Sequence, residues 1–381
     1  MRYIIPHYFD AFRCVAAECE DTCCAGWQIM IDDDSLERYK ATGGSFGQRL
    51  QESVDWQTGS FKQHDCKRCA FLNEDNLCDM QMIGGEQMLC NTCRDYPRHM
   101  EEYEGLREGS LSLSCIEAAK LILGSLEPVQ FYTLQDDVED EEYEDFDFLL
   151  FDKLMDARER MMELLQNREA DIRVRMALVL KMSEDIQKAI DENDICRVDS
   201  LLQEVSGEDV FFEFQKKVDN TKSGVNDYFN SIRKLFRIFS KMETLKDNWP
   251  EYVKKAEWAL FGEGQRGYEE NRSAFERDMI EDYEKFSRYM EQLMVYFVYV
   301  YFCGAVYDGD VLGKMRTAIA STILIRELIL AVWIEKQDVT FEDVIEVAHR
   351  YSREIEHSDV NLTRLEKLLK NTDTYPLGKL I

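Results

Sequence analysis

Ten of the chain's twelve cysteines fall between Cys14 and Cys115, and no other feature of the sequence constrains the fold so tightly. They are Cys14, Cys19, Cys23 and Cys24, then Cys66, Cys69 and Cys78, then Cys90, Cys93 and Cys115. Cys196 and Cys303 stand apart. A secreted disulfide scaffold is usually short and Cys-rich throughout, and a chain of 381 residues with its thiols in the first third is neither. The N-terminus carries Asp10 where a signal peptide would need its apolar run, so the sequence predicts no secretory leader and a cytoplasmic location. Disulfides do not persist in a reducing compartment, which leaves metal ligation, redox chemistry or packing for these thiols. Metal is the first expectation.

The spacings sharpen it. Cys66-Lys67-Arg68-Cys69 and Cys90-Asn91-Thr92-Cys93 both have the Cys-x2-Cys interval that zinc and iron–sulfur sites use. Together they would complete a four-cysteine zinc site. The knot at Cys19, Cys23 and Cys24, with Cys14, Cys78 and Cys115, exceeds what one zinc takes. Either there are two sites, or one four-iron cluster sits among packing thiols. His64 precedes Cys66 but reads as a surface histidine, and His7, His99, His349 and His357 lack ligand spacing. Radical enzymes that use S-adenosylmethionine hold their cluster in Cys-x3-Cys-x2-Cys. Cys19 and Cys23 supply the first interval, but Gly26 occupies the third position, which excludes the ordinary radical type. The glycines at Gly43-Gly44-Ser45-Phe46-Gly47 follow a helix rather than a strand, so they do not read as a phosphate loop. There is no Gly-x-Ser-x-Gly elbow or zinc-protease helix motif, and no thiol has a partner that marks it as a nucleophile.

The patterns around the thiols predict a mostly α protein: a small Cys-rich α+β metal-binding module over residues 1–127, an acidic linker over 128–147, and a multi-helical domain over 148–381. Alternation at Trp27, Ile29 and Ile31 predicts a short strand, and Asp34 reads as the cap of a helix that fails near Gly43-Gly44. Phe71-Leu72 and Leu77-Cys78 flank a polar turn, as in a hairpin. Leu111 to Ser114 alternates like a strand, and Cys115 opens an apolar helix. From Asp136 to Asp147 nine residues are acidic and none is basic, which reads as a solvated linker. Beyond it, Phe151, Leu154, Met161 and Leu165 share a helical face, as do Leu178, Met182, Ile186 and Ala189, and Ile232, Leu235, Phe236 and Phe239. A long helix is predicted through Phe286, Tyr289, Leu293 and Tyr296, and a nearly all-apolar one from Met315. The runs Leu293–Cys303 and Ala318–Ile334 read as core helices, the second interrupted by Arg326 and Glu327, so no membrane span is expected. If that helix is buried, Arg326 and Glu327 must be paired, and a structural ion pair is the expectation. Thr340 with Asp343 reads as a helix cap. The formal charge of −29 argues against a nucleic-acid surface and permits a basic or lysine-bearing partner.

Four segments carry a resemblance. Cys19 through Trp27, Cys69-Ala-Phe-Leu-Asn-Glu-Asp-Asn-Leu-Cys78, Leu89-Cys90-Asn-Thr-Cys93-Arg-Asp-Tyr-Pro97 and Ser114-Cys115-Ile-Glu-Ala-Ala119 resemble the flagellin lysine N-methylase family, related to a wider cysteine-rich metal-chelating family. Tyr296 to Leu312 also looks like family sequence. The resemblance implies a protein-lysine N-methyltransferase that uses S-adenosylmethionine as donor and flagellin, or another lysine-bearing protein, as acceptor. It also implies a 4Fe-4S cluster on the N-terminal cysteines, with zinc as the alternative. By motif, the matching thiols are Cys14, Cys19, Cys23, Cys24, Cys69, Cys78, Cys90, Cys93 and Cys115, and Cys66 matches less well. Ala70 replaces the proline of the wider pattern. The resemblance does not single out a catalytic base or donor-binding residues among the many carboxylates. The rival reading, supported by the lack of a recognisable donor-binding loop, is a non-catalytic metal or redox module whose helical part docks a partner protein.

Overall fold

The computed structural model describes residues 1–64, 67–135, 146–205, 207, 209–220, 225–279 and 283–381. In chain order its strands are β1 (Arg2–Pro6), β2 (Val54–Asp55), β3 (Ser60–Phe61), β4 (Arg98–Tyr103), β5 (Leu106–Leu111) and β6 (Phe131–Gln135). The N-terminal helices are α1 (Asp33–Ala41), α2 (Gly44–Ser53), α3 (Asp79–Gly84), α4 (Asn91–Asp95) and α5 (Ile116–Gly124). Then follow α6 (Phe148–Leu165), α7 (Ile172–Asp191), α8 (Arg197–Glu204), α9 (Asp209–Asn220), α10 (Val225–Phe236) and α11 (Trp249–Phe261). The last are α12 (Gly264–Asp278), α13 (Tyr283–Tyr301), α14 (Val311–Lys336), α15 (Phe341–Ile355) and α16 (Asp359–Leu369). The protein is mostly α, as its apolar periodicities require.

The larger core is built around α14, whose apolar residues surround the whole helix. Such a helix is stable only when covered on every side, and α7, α11, α13, α15 and α16 cover it. Both α14 and the segment Phe286–Val306 are long and apolar enough to cross a bilayer by composition, but most of each is buried inside this fold. The same core takes in Leu106, Leu111 and Leu113 from the end of the sheet. A second, smaller core gathers Ile29, Ile31, Tyr39, Leu50, Phe61, Phe71 and Met80 with the thiols Cys69 and Cys90.

The main sheet has the order β4-β5-β1-β6. β1 runs parallel to β5, with Arg2 opposite Leu106, and antiparallel to β6, with Arg2 opposite Gln135. β4 and β5 form an antiparallel hairpin that leaves β4 at the edge. Buried ion pairs fasten the sheet and helices: Arg158 of α6 donates to Glu108 of β5 at 2.6 Å and to the Tyr299 carbonyl at 3.0 Å. Glu291 of α13 is 1% exposed and accepts from Arg175 at 2.7 Å and Arg168 at 2.9 Å.

Several local expectations change. The cap of α1 is Asp32, which accepts from the Ser35 amide, because Asp34 already lies in the first turn. Trp27 to Ile31 makes only an isolated bridge, Met30 to Ser60, so its alternation reflects burial of Ile29 and Ile31 rather than a strand. The strand expected at Leu111–Ser114 lies earlier, over Leu106–Leu111. Ser112 to Ser114 instead turns the chain into α5, whose cap is Cys115. The Thr340–Asp343 capping box is present. Arg326 pairs with Glu327 at 2.6 Å, as its burial demands. Residues 136–145 of the acidic segment and Cys66 lie outside the described residues.

Candidate active site

The thiols sort into two groups. Cys23, Cys24, Cys69, Cys78, Cys90 and Cys93 are linked pair by pair: Cys24 interacts with Cys23, Cys69 and Cys78, Cys69 with Cys78 and Cys90, and Cys93 with Cys24, Cys69 and Cys90. Cys24 lies against Cys23 and Cys78, and Cys90 against Cys93. The contact with Cys23 pushes the Cys24 thiol up to about 12, and burial pushes Cys69 up to about 11. Cys93 stabilises Cys90 as the thiolate and is itself raised well above the ordinary value. Cys14, Cys19 and Cys115 form the second group. Cys196 is exposed, and Cys303 is buried beside Met155, away from both. The donor chemistry of the first group fits an iron–sulfur cluster, which takes four thiolates. Among the described residues the thiols meet as pairs, and no three His, Cys, Asp or Glu side chains stand in ready metal-binding geometry.

The helix that carries Cys93 leads directly into a cleft of about 790 Å³, within the roughly 300–1,000 Å³ usual for small-molecule sites. Three walls meet there: Trp27 and α4 with Tyr96, the edge strand β4, and the ends of α13 and α15 with Tyr296, Tyr301, Glu356 and His357. Tyr96 lies near both Cys23 and Cys115, so the cleft lies beside the thiol groups. Two of the motif segments end here, at Trp27 and at Tyr96-Pro97, and a third begins behind the wall at Ser114, whose hydroxyl meets those of Tyr96 at 3.0 Å and Ser112 at 2.6 Å.

Glu356 is the focal group. It caps α15, and Ser358 caps α16, so Glu356-His357 is the joint between two helices and cannot swing freely. Its Oε1 accepts from Tyr301 at 2.7 Å and from Tyr296 at 3.0 Å, and Ser352 donates to its other oxygen. Burial raises the Glu356 carboxyl above the ordinary carboxylate range, and these three hydroxyls only partly offset the shift. His357 lies against Trp27, with ring centroids 4.9 Å apart, and its Nε2 meets the Ser114 hydroxyl at 2.5 Å. Burial, helped by the nearby Arg353 charge, holds His357 down at about 3, so it is neutral at physiological pH. Its Nδ1 is buried with no hydrogen-bond partner among the described residues. An orphaned polar atom in an aromatic cleft suits a polar ligand. Lys314 is not a free base, because Asp308 and Glu366 each hold it at 2.9 Å.

The cysteine knot is locked to α15 beside this cleft. Arg353 donates to the Ala25 carbonyl at 2.6 Å, and Lys67 to the Leu245 carbonyl at 2.6 Å. Burial pushes the Asp21 carboxyl up, but His349 at 2.9 Å, the Arg353 charge and Lys246 at 2.8 Å outweigh it and hold it well below the usual range. A separate cavity of about 280 Å³ near α14 is mainly apolar and holds the Arg326–Glu327 pair. Tyr268 donates to Glu327 there at 2.8 Å, which satisfies the carboxylate without a ligand.

Sequence reasoning did not find Glu356, His357 or Tyr301. The signal was faint: a carboxylate and a histidine just past the end of an amphipathic helix, before a Ser-Asp helix start.

Residues 158–381 match the family described as the FliB lysine N-methylase C-terminal domain. The chain is 30% identical over 126 residues to the flagellar biosynthetic protein FliU of Salmonella muenchen, a match that covers 31% of this chain and 75% of FliU. It is 30% identical over 128 residues to the lysine-N-methylase of Salmonella typhimurium, covering 31% of each chain. The lysine-N-methylase of Salmonella choleraesuis matches to the same extent. The similarity thus spans less than a third of either methylase. No solved structure matches.

Proposed function

The chain belongs to the FliB lysine N-methylase family, and from that premise we propose that it transfers methyl groups from S-adenosylmethionine to lysine side chains of flagellin. The observation that carries this reading is the Glu356 carboxylate at the base of an aromatic cleft, braced by Tyr296, Tyr301 and Ser352. A lysine amine attacks only when neutral, and its reference pKa is about 10.4. The acceptor must therefore shed a proton in the cleft. Glu356 is the group suited to take it, since its raised pKa narrows the gap to the amine. The nitrogen lone pair then forms the N–C bond to the donor methyl as the C–S bond breaks and its electron pair stays on sulfur. Trp27, Tyr96, Tyr296 and Tyr301 present ring surface to the cleft, and such faces favour cationic groups, including an ammonium or a sulfonium. His357, neutral here, adds no opposing charge.

An iron–sulfur cluster on four of Cys23, Cys24, Cys69, Cys78, Cys90 and Cys93 would cross-link the smaller core beside the cleft, whereas one held by only three of them would leave an iron open to a chelating ligand. The transfer derived above uses this chain's own residues and needs no electron.

The test is incubation of the anaerobically purified protein with methyl-labelled S-adenosylmethionine and flagellin. Label on lysine Nζ is the expected result. Failure of the protein both to bind the donor and to transfer label overturns the proposal.

A further inference from the structure

Strand β4 is the edge of the main sheet and also a wall of the candidate cleft. Its hydrogen-bonding phase follows from the pairing. The Pro97 carbonyl accepts from the Ser112 amide at 2.9 Å, so position 97 faces β5. In an antiparallel ladder alternate residues turn their amide and carbonyl toward the same neighbour. His99, Glu101 and Tyr103, opposite Ser110, Glu108 and Leu106, therefore bond to β5. Arg98, Met100 and Glu102 turn theirs outward. Tyr307 checks the phase: its hydroxyl donates to the Glu102 carbonyl at 3.0 Å, closing one end of the free edge. Among the described residues no strand pairs with that edge. The amides and carbonyls of Arg98 and Met100 are left open, with the Met100 side chain 36% exposed.

Soluble proteins normally protect such an edge, and several peptide-binding domains use one to add a ligand as an extra strand. Here the edge runs beside the cleft that holds Glu356. The charged residues of that cleft include Glu101, Glu356 and Asp359, with Asp95 already paired to Arg94, against Arg98 and an already paired Lys314. The surplus is negative and complements a lysine-bearing chain. Resting on the methyltransferase reading, we propose that the substrate binds as an extended segment added to β4, hydrogen-bonded to the backbone of Arg98 and Met100, which delivers its lysine into the cleft. Side chains alternate across a strand, so the lysine and its second neighbours on either side face the cleft, and its immediate neighbours face away. The acceptor must then have a locally extended backbone at the modified lysine.

The experiment measures binding of a fluorescently labelled, lysine-bearing flagellin peptide to the full chain by anisotropy, with methyl transfer followed on the same samples. Single backbone amides of the peptide are N-methylated in turn. Strand addition predicts that affinity falls by about tenfold, the size of one lost hydrogen bond, at the two alternate peptide amides that donate to the Arg98 and Met100 carbonyls, and little at the amide between them or elsewhere. Met100→Pro removes an outward amide and no ladder bond, and is expected to weaken the unmodified peptide by about tenfold or more while far-ultraviolet dichroism is unchanged. If Met100→Pro unfolds the chain, the peptide series on the wild-type protein decides alone. A uniform loss along the peptide, or no binding, overturns strand addition. Alternating binding without methyl transfer supports strand addition and refutes the methyltransferase reading. Transfer without alternation refutes strand addition only.

Discussion

Replacing Glu356 by glutamine keeps the shape of the cleft floor and removes its charge. Three hydroxyl donors converge on this carboxylate, from Tyr296, Tyr301 and Ser352. Bonds to a charged acceptor are roughly twice as strong as neutral ones, so the amide weakens each of them. The amide also removes the cost of placing a charge in this partly enclosed site, the cost that raises the carboxyl in the first place. The two effects oppose, and the folding stability of the variant should lie within about 2 kcal/mol of wild type. Activity is a different matter. General-base catalysis is typically worth about 10²–10⁴-fold, or roughly 2.7–5.4 kcal/mol of barrier, and kcat should fall by that factor. The pH profile adds a second readout. The folded-state pKa of Glu356 is raised, so the folded protein binds more protons than the unfolded chain between the ordinary and the raised value. Its contribution to stability is therefore lost as pH rises through that window, and activity gained there comes at the expense of stability. The Glu356→Gln variant should lack both trends. The assay is steady-state transfer of labelled methyl to flagellin beside urea denaturation at several pH values. A variant with kcat within about threefold of wild type, far short of the general-base factor, would refute the role assigned to Glu356.

Other expectations follow from the same geometry. Cys24→Ser and Cys93→Ser should each lower iron and sulfide content, because their thiols share the first group, whereas Cys14→Ser should leave it nearly unchanged; equal losses in all three would contradict the sorting. Glu291→Ala leaves Arg175 buried without its carboxylate and should cost about 3–5 kcal/mol in chemical denaturation. Asp21 is held as a carboxylate by His349, Arg353 and Lys246, so its stabilising contribution is complete at neutral pH. That contribution is lost as pH falls below the ordinary aspartate value of about 3.9. Asp21→Asn should flatten this acid limb in a pH series of melting temperatures, and an unchanged limb would sink the assignment.

The helical part of the fold is legible in the sequence because its signal is local. Faces such as Leu178, Met182, Ile186 and Ala189 repeat at the helical period, and each is buried in α7. The short pieces among the cysteines misled where burial imitates strand alternation, as at Trp27 to Ile31. The cysteine segments were readable as motifs, but spacing alone did not divide the thiols. Cys24 and Cys78, distant in sequence, meet, and Cys115 turns toward Cys19. The cleft was the least visible part. Tyr296, Tyr301, Glu356 and Trp27 come from three distant segments, and only the packing of α13 and α15 against the cysteine module brings them together. Tyr296 in particular reads as one more core aromatic on a helix face until its hydroxyl is seen to reach Glu356 at 3.0 Å.

In the proposed reaction a substrate lysine enters this cleft and meets Glu356. Photocrosslinking tests it most directly. A flagellin peptide carrying a diazirine analogue at the modified lysine is irradiated with the protein, and adducts are mapped by mass spectrometry. Adducts on Tyr296, Tyr301, Trp27 or Tyr96 are expected. Adducts confined to the apolar cavity beside α14, or to other surfaces, would contradict that reaction.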